Sequence, residues 1–238
     1  MIDSNKKYLV VVRHGESFAN RRLRKEKDGI KYSLAGSDAS IGLTARGKRQ
    51  ARATGKRLNS LFSGESRFRS ITANRFDRVS QTAYLIAENF DYGLSYSEDA
   101  RVEKRSYGKF WNLTYRGVKE LYPDEYSIFE TLGPFKYRPP GGENYYDLFE
   151  RIEEFADERA LSAHEGNQLV VTSSAAMLAF RRTYAGLADD KLVEMYESMS
   201  IGNGDFDVYE LDETTGKWKL KYYYCARLAR RKHALRAA

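Results

Sequence analysis

The chain has 238 residues, enough for one domain over residues 1–238 with a substantial core. At 42% apolar and 13% aromatic it is too rich in core-forming groups for disorder. Its net charge of +7 fits anionic ligands, while its one cysteine, Cys225, excludes an internal disulfide framework. Residues 8–12 form an apolar run that predicts a buried strand ending on Arg13-His14. Ligand sites of open α/β sheets form at such strand ends. Thr44 suits the N-cap of a helix that carries Gly47, Ala51, Thr54, Leu58 and Leu61 at helical spacing. Residues 67–73 read as a short strand. Val79, Ala83, Ile86 and Phe90 read as a second helical stripe, and residues 94–102 as extended. Residues 108–142 hold Pro123, Pro134, Pro139 and Pro140 and are expected to be irregular, an insertion that could roof a pocket. A long amphipathic helix follows over 145–163, then a buried strand at 169–172 and a helix from about Ala176. Strands at 205–211 and 218–224 form a closing hairpin that turns at Thr215-Gly216. The alternation predicts a three-layer α/β/α sandwich around a mostly parallel sheet.

The chemistry gathers at Arg13-His14-Gly15-Glu16-Ser17. A guanidinium grips phosphate oxygens through paired N–H donors. A neutral imidazole attacks phosphorus without the repulsion that an anionic nucleophile meets. Its unperturbed pKa of ~6.5 leaves a neutral fraction at physiological pH. The expected partner is therefore a phosphorylated small-molecule substrate. No metal and no cofactor is expected, because arginines supply the positive field and His164 and His233 stand apart from acidic pairs. Nucleic acid is the lesser reading. Much of the basic excess lies in a tail over 226–238, and no helix-turn-helix, zinc-finger or aromatic RNA-binding pattern accompanies it. No apolar run approaches the ~20 residues of a membrane helix, and no signal-peptide segment opens the chain. A cytoplasmic location without membrane contact is the expectation. A homodimer stays open.

With Asn20 shortly after it, the Arg13–Ser17 motif resembles the signature of the histidine phosphatase superfamily, in the branch with the phosphoglycerate mutases. Three further blocks resemble that family in order: Leu43-Thr44-Ala45-Arg46-Gly47-Lys48-Arg49-Gln50-Ala51, Arg78-Val79-Ser80-Gln81-Thr82-Ala83, and Pro140-Gly141-Gly142-Glu143-Asn144. The resemblance spans residues 8–211 and implies a phosphoglycerate mutase-like fold. It implies that His14 becomes phosphohistidine, that Arg13 and Arg78 bind the phosphate, that Asn20 is a polar contact near it, and that Glu103 is the proton-donating acid. Two positions depart from the pattern. The spacing from Glu103 to Gly108 is one residue longer than the family's. Ser174 stands where the family keeps a second histidine after its late strand. A third exchange, Asn74 for a frequent serine, is conservative in polarity.

Serine donates one hydrogen bond and carries no charge. Losing one positioned donor to a transition state costs ~10²–10³ in rate. The expectation is a phosphatase that hydrolyses a phosphomonoester of a small metabolite through phospho-His14, impaired by Ser174, whether that serine is introduced or natural. Mutase-type phosphoryl transfer and non-catalytic phosphate binding are the alternatives. Ser17 and Ser173 are candidate substrate contacts. Arg105, Tyr107, Arg138 and Lys136 are candidates for a second anionic or hydroxyl-rich part of the substrate.

Overall fold

In the computed structural model, which describes residues 2–198, 201–224 and 235–237, the first apolar run is strand β1 (Tyr8–Arg13). Successive side chains of a strand point to opposite faces. Leu9 and Val11 accordingly enter one core while Tyr8, Val10 and Val12 enter another. The sheet continues with β2 (Phe68–Ala73), β3 (Ser95–Glu98), β4 (Asn167–Thr172), β5 (Phe206–Asp212), β6 (Lys217–Tyr224) and β7 (Leu235–Ala237). Their order in space is β3-β2-β4-β1-β5-β6-β7. β1, β2, β3 and β4 run parallel, and β5, β6 and β7 add antiparallel pairs at the other side.

The helices are α1 (Phe18–Lys25), α2 (Ala45–Leu61), α3 (Asp77–Ala87), α4 (Tyr115–Leu121), α5 (Pro123–Lys136), α6 (Tyr145–Leu161), α7 (Ser174–Ala185) and α8 (Asp189–Glu197). Leu58 of α2 and Val79, Ala83 and Ile86 of α3 cover one face of the sheet. Phe149, Ile152 and Phe155 of α6 with Met177 and Phe180 of α7 cover the other. The expected three-layer sandwich is therefore the observed one.

Residues 108–142 differ from the expectation of irregular chain. Pro123 sits at the first position of α5, where its missing N–H leaves no bond unmade. Pro134 follows Gly133, whose φ of 74° kinks the helix. These prolines start and bend a helix without dissolving it. The extended stretch expected over 94–102 is strand only over β3 and closes with a single 3-10 turn at Ala100–Val102. α3 ends at Ala87, so Phe90 is buried beyond the helix and not on its stripe. Of the basic tail, residues 226–234 and 238 lie outside the described residues, as do Cys225 and His233, while Leu235–Ala237 pair with β6.

Parallel pairing sets the C-terminal ends of the central strands side by side, with Arg13 opposite Thr172. The chain leaving β1 then lies against the start of α2. A Cβ added to Gly15 would fall on the carbonyl of Gly47, and one added to Gly47 would fall on the carbonyl of Glu16. Thr44 caps α2 by accepting from Gly47 N at 3.1 Å, and its own N–H donates to Glu16 O at 2.9 Å. Gly47→Ala should push the His14 loop off α2 and cost about 3 kcal/mol, the top of the overpacking range. A urea-denaturation midpoint close to that of the parent chain would refute this.

Candidate active site

His14 follows β1 directly, and its backbone N–H extends the sheet ladder to Thr172 O at 2.9 Å. The ring is buried, and its Nδ1 lies 2.7 Å from the carbonyl oxygen of Gly15. A carbonyl only accepts, so Nδ1 carries the proton and Nε2 keeps its lone pair. The His14 pKa is held well below the ordinary imidazole value, first by burial and then by the charges of Arg78, Arg13 and, more weakly, Lys104. The Gly15 hydrogen bond opposes that shift without reversing it.

Arg78 reaches this ring from the first turn of α3. Its helix is tied to the loop through Thr82, whose hydroxyl accepts from Gly15 N at 3.1 Å and donates to Arg78 O at 2.7 Å. The Arg78 guanidinium donates to the backbone oxygen of Asp38 at 2.7 Å and to its carboxylate at 3.0 Å, and packs over the Phe76 ring. Arg13 donates to the carbonyl of Ile201. The charges of both Arg13 and Arg78 act on the His14 ring.

Asn20 joins them through a residue that reasoning missed. Asn203 donates to His14 O and to Asn20 Oδ1, both at 3.0 Å. Asn20 Oδ1 also accepts from Ser17 N at 3.2 Å. The carbonyl end of the Asn20 side chain is thus engaged by the protein. Asn203 lies in Ile201-Gly202-Asn203-Gly204, where no periodicity marks it.

The acid expected at Glu103 is held by a cation. Its carboxylate pairs with the exposed Arg75 at 2.9 Å. Lys104, one residue on, is the side chain whose charge acts on His14, and its ammonium pairs with Asp38. Asp38 thus bridges Arg78 and Lys104. Neighbouring residues of an extended segment point opposite ways, so the extra residue before Gly108 exchanges an acid for a base. That spacing was the signal available in the sequence; Asp38 had none.

The remaining candidates are placed as follows. Ser174 opens α7 just beyond β4, and Ser173 caps that helix, accepting from Ala176 N at 3.4 Å. Ser17 is likewise a cap, accepting from Asn20 N at 3.1 Å at the start of α1. Both hydroxyls serve helix ends. Arg105 is buried between the rings of Tyr107 and Tyr145, 4.5 and 4.9 Å from their centres, and donates to Glu143 O at 3.0 Å. Burial pushes the Tyr107 phenol up, but Arg105 and Lys104 outweigh it and the net shift is downward. Lys104 also lies 4.9 Å from the Tyr107 ring, so Tyr107 and Arg105 adjoin the Lys104 that Asp38 holds. Arg138 departs from expectation: it is exposed and bound to Asp147 at 2.5 Å, at the start of α6. Lys136 is exposed at the end of α5. His164 sits in the turn before β4, at the opposite end of the sheet from His14. A groove of about 760 Å³ between α2, α3 and β3 is lined by Lys48, Tyr84 and Tyr96 and by none of these site residues.

The family model of the histidine phosphatase superfamily (branch 1) matches residues 9–225. The phosphoglycerate mutase-like protein AT74 of Arabidopsis thaliana is 26% identical over 224 residues, covering 87% of this chain and 66% of that protein. The 6-phosphofructo-2-kinase/fructose-2,6-bisphosphatase 1 of Bos taurus is 30% identical over 184 residues, covering 77% of this chain but 34% of its own length. The chain thus spans about two thirds of the first relative and one third of the second. Among solved structures, the alpha-ribazole phosphatase from Shigella flexneri aligns with a TM-score of 0.67 at 21% identity, covering 90% of this chain and 94% of that one. A mycobacterial glucosyl-3-phosphoglycerate phosphatase aligns with a TM-score of 0.67 at 19% identity, covering 90% and 97%. At those identities the likeness is one of fold. No helix among the described residues is long and apolar enough to cross a membrane.

Folding withholds a proton from His14. Below about 6.5, the ordinary imidazole value, the unfolded chain binds a proton there that the folded chain does not. This contribution to stability is complete above that pH and is lost as pH falls toward the depressed folded value. Nitrogen NMR should therefore show the neutral Nδ1–H form of His14 at pH 6, and Arg78→Ala should raise its titration point. A His14 that is already cationic at pH 6 would contradict the assignment.

Proposed function

The chain belongs to the histidine phosphatase superfamily, and on that footing we propose that it is a slow phosphatase that takes the phosphoryl group of a phosphorylated small molecule onto Nε2 of His14. One observation carries the reading: a buried neutral imidazole with Nδ1–H spent on Gly15 O, no hydrogen-bond partner to Nε2 among the described residues, and the charges of Arg13 and Arg78 acting on it. Nε2 attacks phosphorus, the bond from phosphorus to the leaving oxygen breaks and its electron pair departs on that oxygen, while Arg13 and Arg78 meet the charge on the non-bridging oxygens. The Nδ1–H bond holds the ring in the attacking tautomer and stabilises the positive charge it gains. Water then attacks phosphorus, the N–P bond pair returns to Nε2, and phosphate leaves. The phosphatase names carried by the relatives and structural neighbours support a phosphorylated metabolite as substrate.

Slowness follows from two departures from the family pattern. Ser174 lacks the charge of an imidazolium, and the acid expected at Glu103 is paired with Arg75 and followed by the base Lys104. These same two departures favour a second reading, a protein that binds phosphorylated ligands without turnover. Incubation with a labelled phosphoryl donor should give an acid-labile, base-stable phosphoprotein that His14→Ala abolishes. Labelling that survives in His14→Ala would remove the histidine from its role. Ser174→His should raise phosphate release by about 10²–10³-fold, the worth of one positioned donor. Phosphate release that stays at background in both parent and variant would favour the binding protein.

A further inference from the structure

We propose that this site expels its leaving group without a proton from a side-chain carboxyl. Its substrates are then phosphoryl donors with weakly basic leaving groups, such as acyl phosphates and phosphoanhydrides, and not phosphate esters of alcohols. The inference rests on the phospho-His14 reading above and narrows its substrate class.

Three observations combine. The carboxylate of Glu103 is bound to Arg75 at 2.9 Å, and the next side chain, Lys104, is a base whose ammonium shares Asp38 with Arg78. This segment is also pinned in register. Val102 O accepts from Asn74 Nδ2 at 2.7 Å and from Thr172 Oγ1 at 2.5 Å. Glu103 O and Lys104 O accept from the Arg151 guanidinium at 3.0 and 3.1 Å, and Arg151 is itself paired with Glu143 at 2.9 Å. A one-residue slip that turned Glu103 inward would break these bonds together. Finally, the carboxylate that does reach the cations is Asp38. One of its oxygens takes a guanidinium N–H of Arg78 and the other the ammonium of Lys104, so neither oxygen is placed to hand a proton to a leaving group.

The bonding changes then balance without proton transfer. The Nε2–P bond forms, the bond from phosphorus to the leaving oxygen breaks, and its electron pair departs on that oxygen as an anion. A carboxylate leaves readily, since its conjugate acid has a pKa near about 4, whereas a phenolate stands near about 10. An alkoxide resembles hydroxide, whose conjugate acid stands near about 16. Lys104 and Arg78 attract any departing anion, but their charge does not make up that difference. In the second step water attacks phosphorus, the bond pair returns to Nε2, and the water's protons end on phosphate and solvent.

The test is single-turnover phosphorylation of the intact chain by acetyl phosphate, p-nitrophenyl phosphate, phenyl phosphate and glycerol phosphate. The rate should fall steeply and continuously with leaving-group basicity, with glycerol phosphate undetectable. Lys104→Glu should raise the ratio of glycerol phosphate to acetyl phosphate rates by about 10²-fold or more, the range of general acid catalysis. Glycerol phosphate reacting within tenfold of acetyl phosphate in the parent chain would overturn the inference and leave phospho-His14 standing. A folded Lys104→Glu with an unchanged ratio would overturn it too. The parent series decides the matter even if that variant does not fold. Labelling by none of the four donors would remove both readings.

Discussion

The bond from Nδ1–H of His14 to the carbonyl of Gly15 is the constraint on which the site depends. It selects one tautomer of a ring that would otherwise share its proton between two nitrogens. The bond is possible only because the loop after β1 lies flat on the first turn of α2. Two facing glycines, Gly15 and Gly47, permit that approach. Burial and the nearby cations then favour the uncharged ring. Tautomer, protonation state and direction of the lone pair thus follow from one short stretch of main chain.

Cations crowd this crevice. Arg13, Arg78 and Lys104 all act on the same imidazole. Like charges brought together out of water oppose folding unless an anion joins them. Asp38 is such an anion, since it receives both Arg78 and Lys104. The arrangement explains how a protein with a net charge of +7 assembles a strongly positive pocket and still folds around it.

Much of the fold was legible because burial leaves a pattern. The apolar runs that became β1 and β4 stand out, and Thr44 capped α2 as its position suggested. His14, Arg13 and Arg78 were legible because each sits in a motif at a strand end or helix start. What was not legible had no such periodicity. α1 is Phe-Ala-Asn-Arg-Arg-Leu-Arg-Lys, held by the Ser17–Asn20 capping box and burying only Ala19. α5 was hidden by prolines whose effect depends on their place in the turn. Asp38 and Asn203 come from loops and meet the site only through tertiary packing. Glu103 and Lys104 differ by one position in an extended segment, where one residue reverses the side chain.

The clamp on residues 102–104 has a broader meaning. Its hydrogen bonds, from Asn74, Thr172 and Arg151, go to carbonyl oxygens of the segment. The course of the main chain at position 104 is thus set apart from the side chain mounted on it. A different side chain there would keep that course and forgo the ion pair to Asp38.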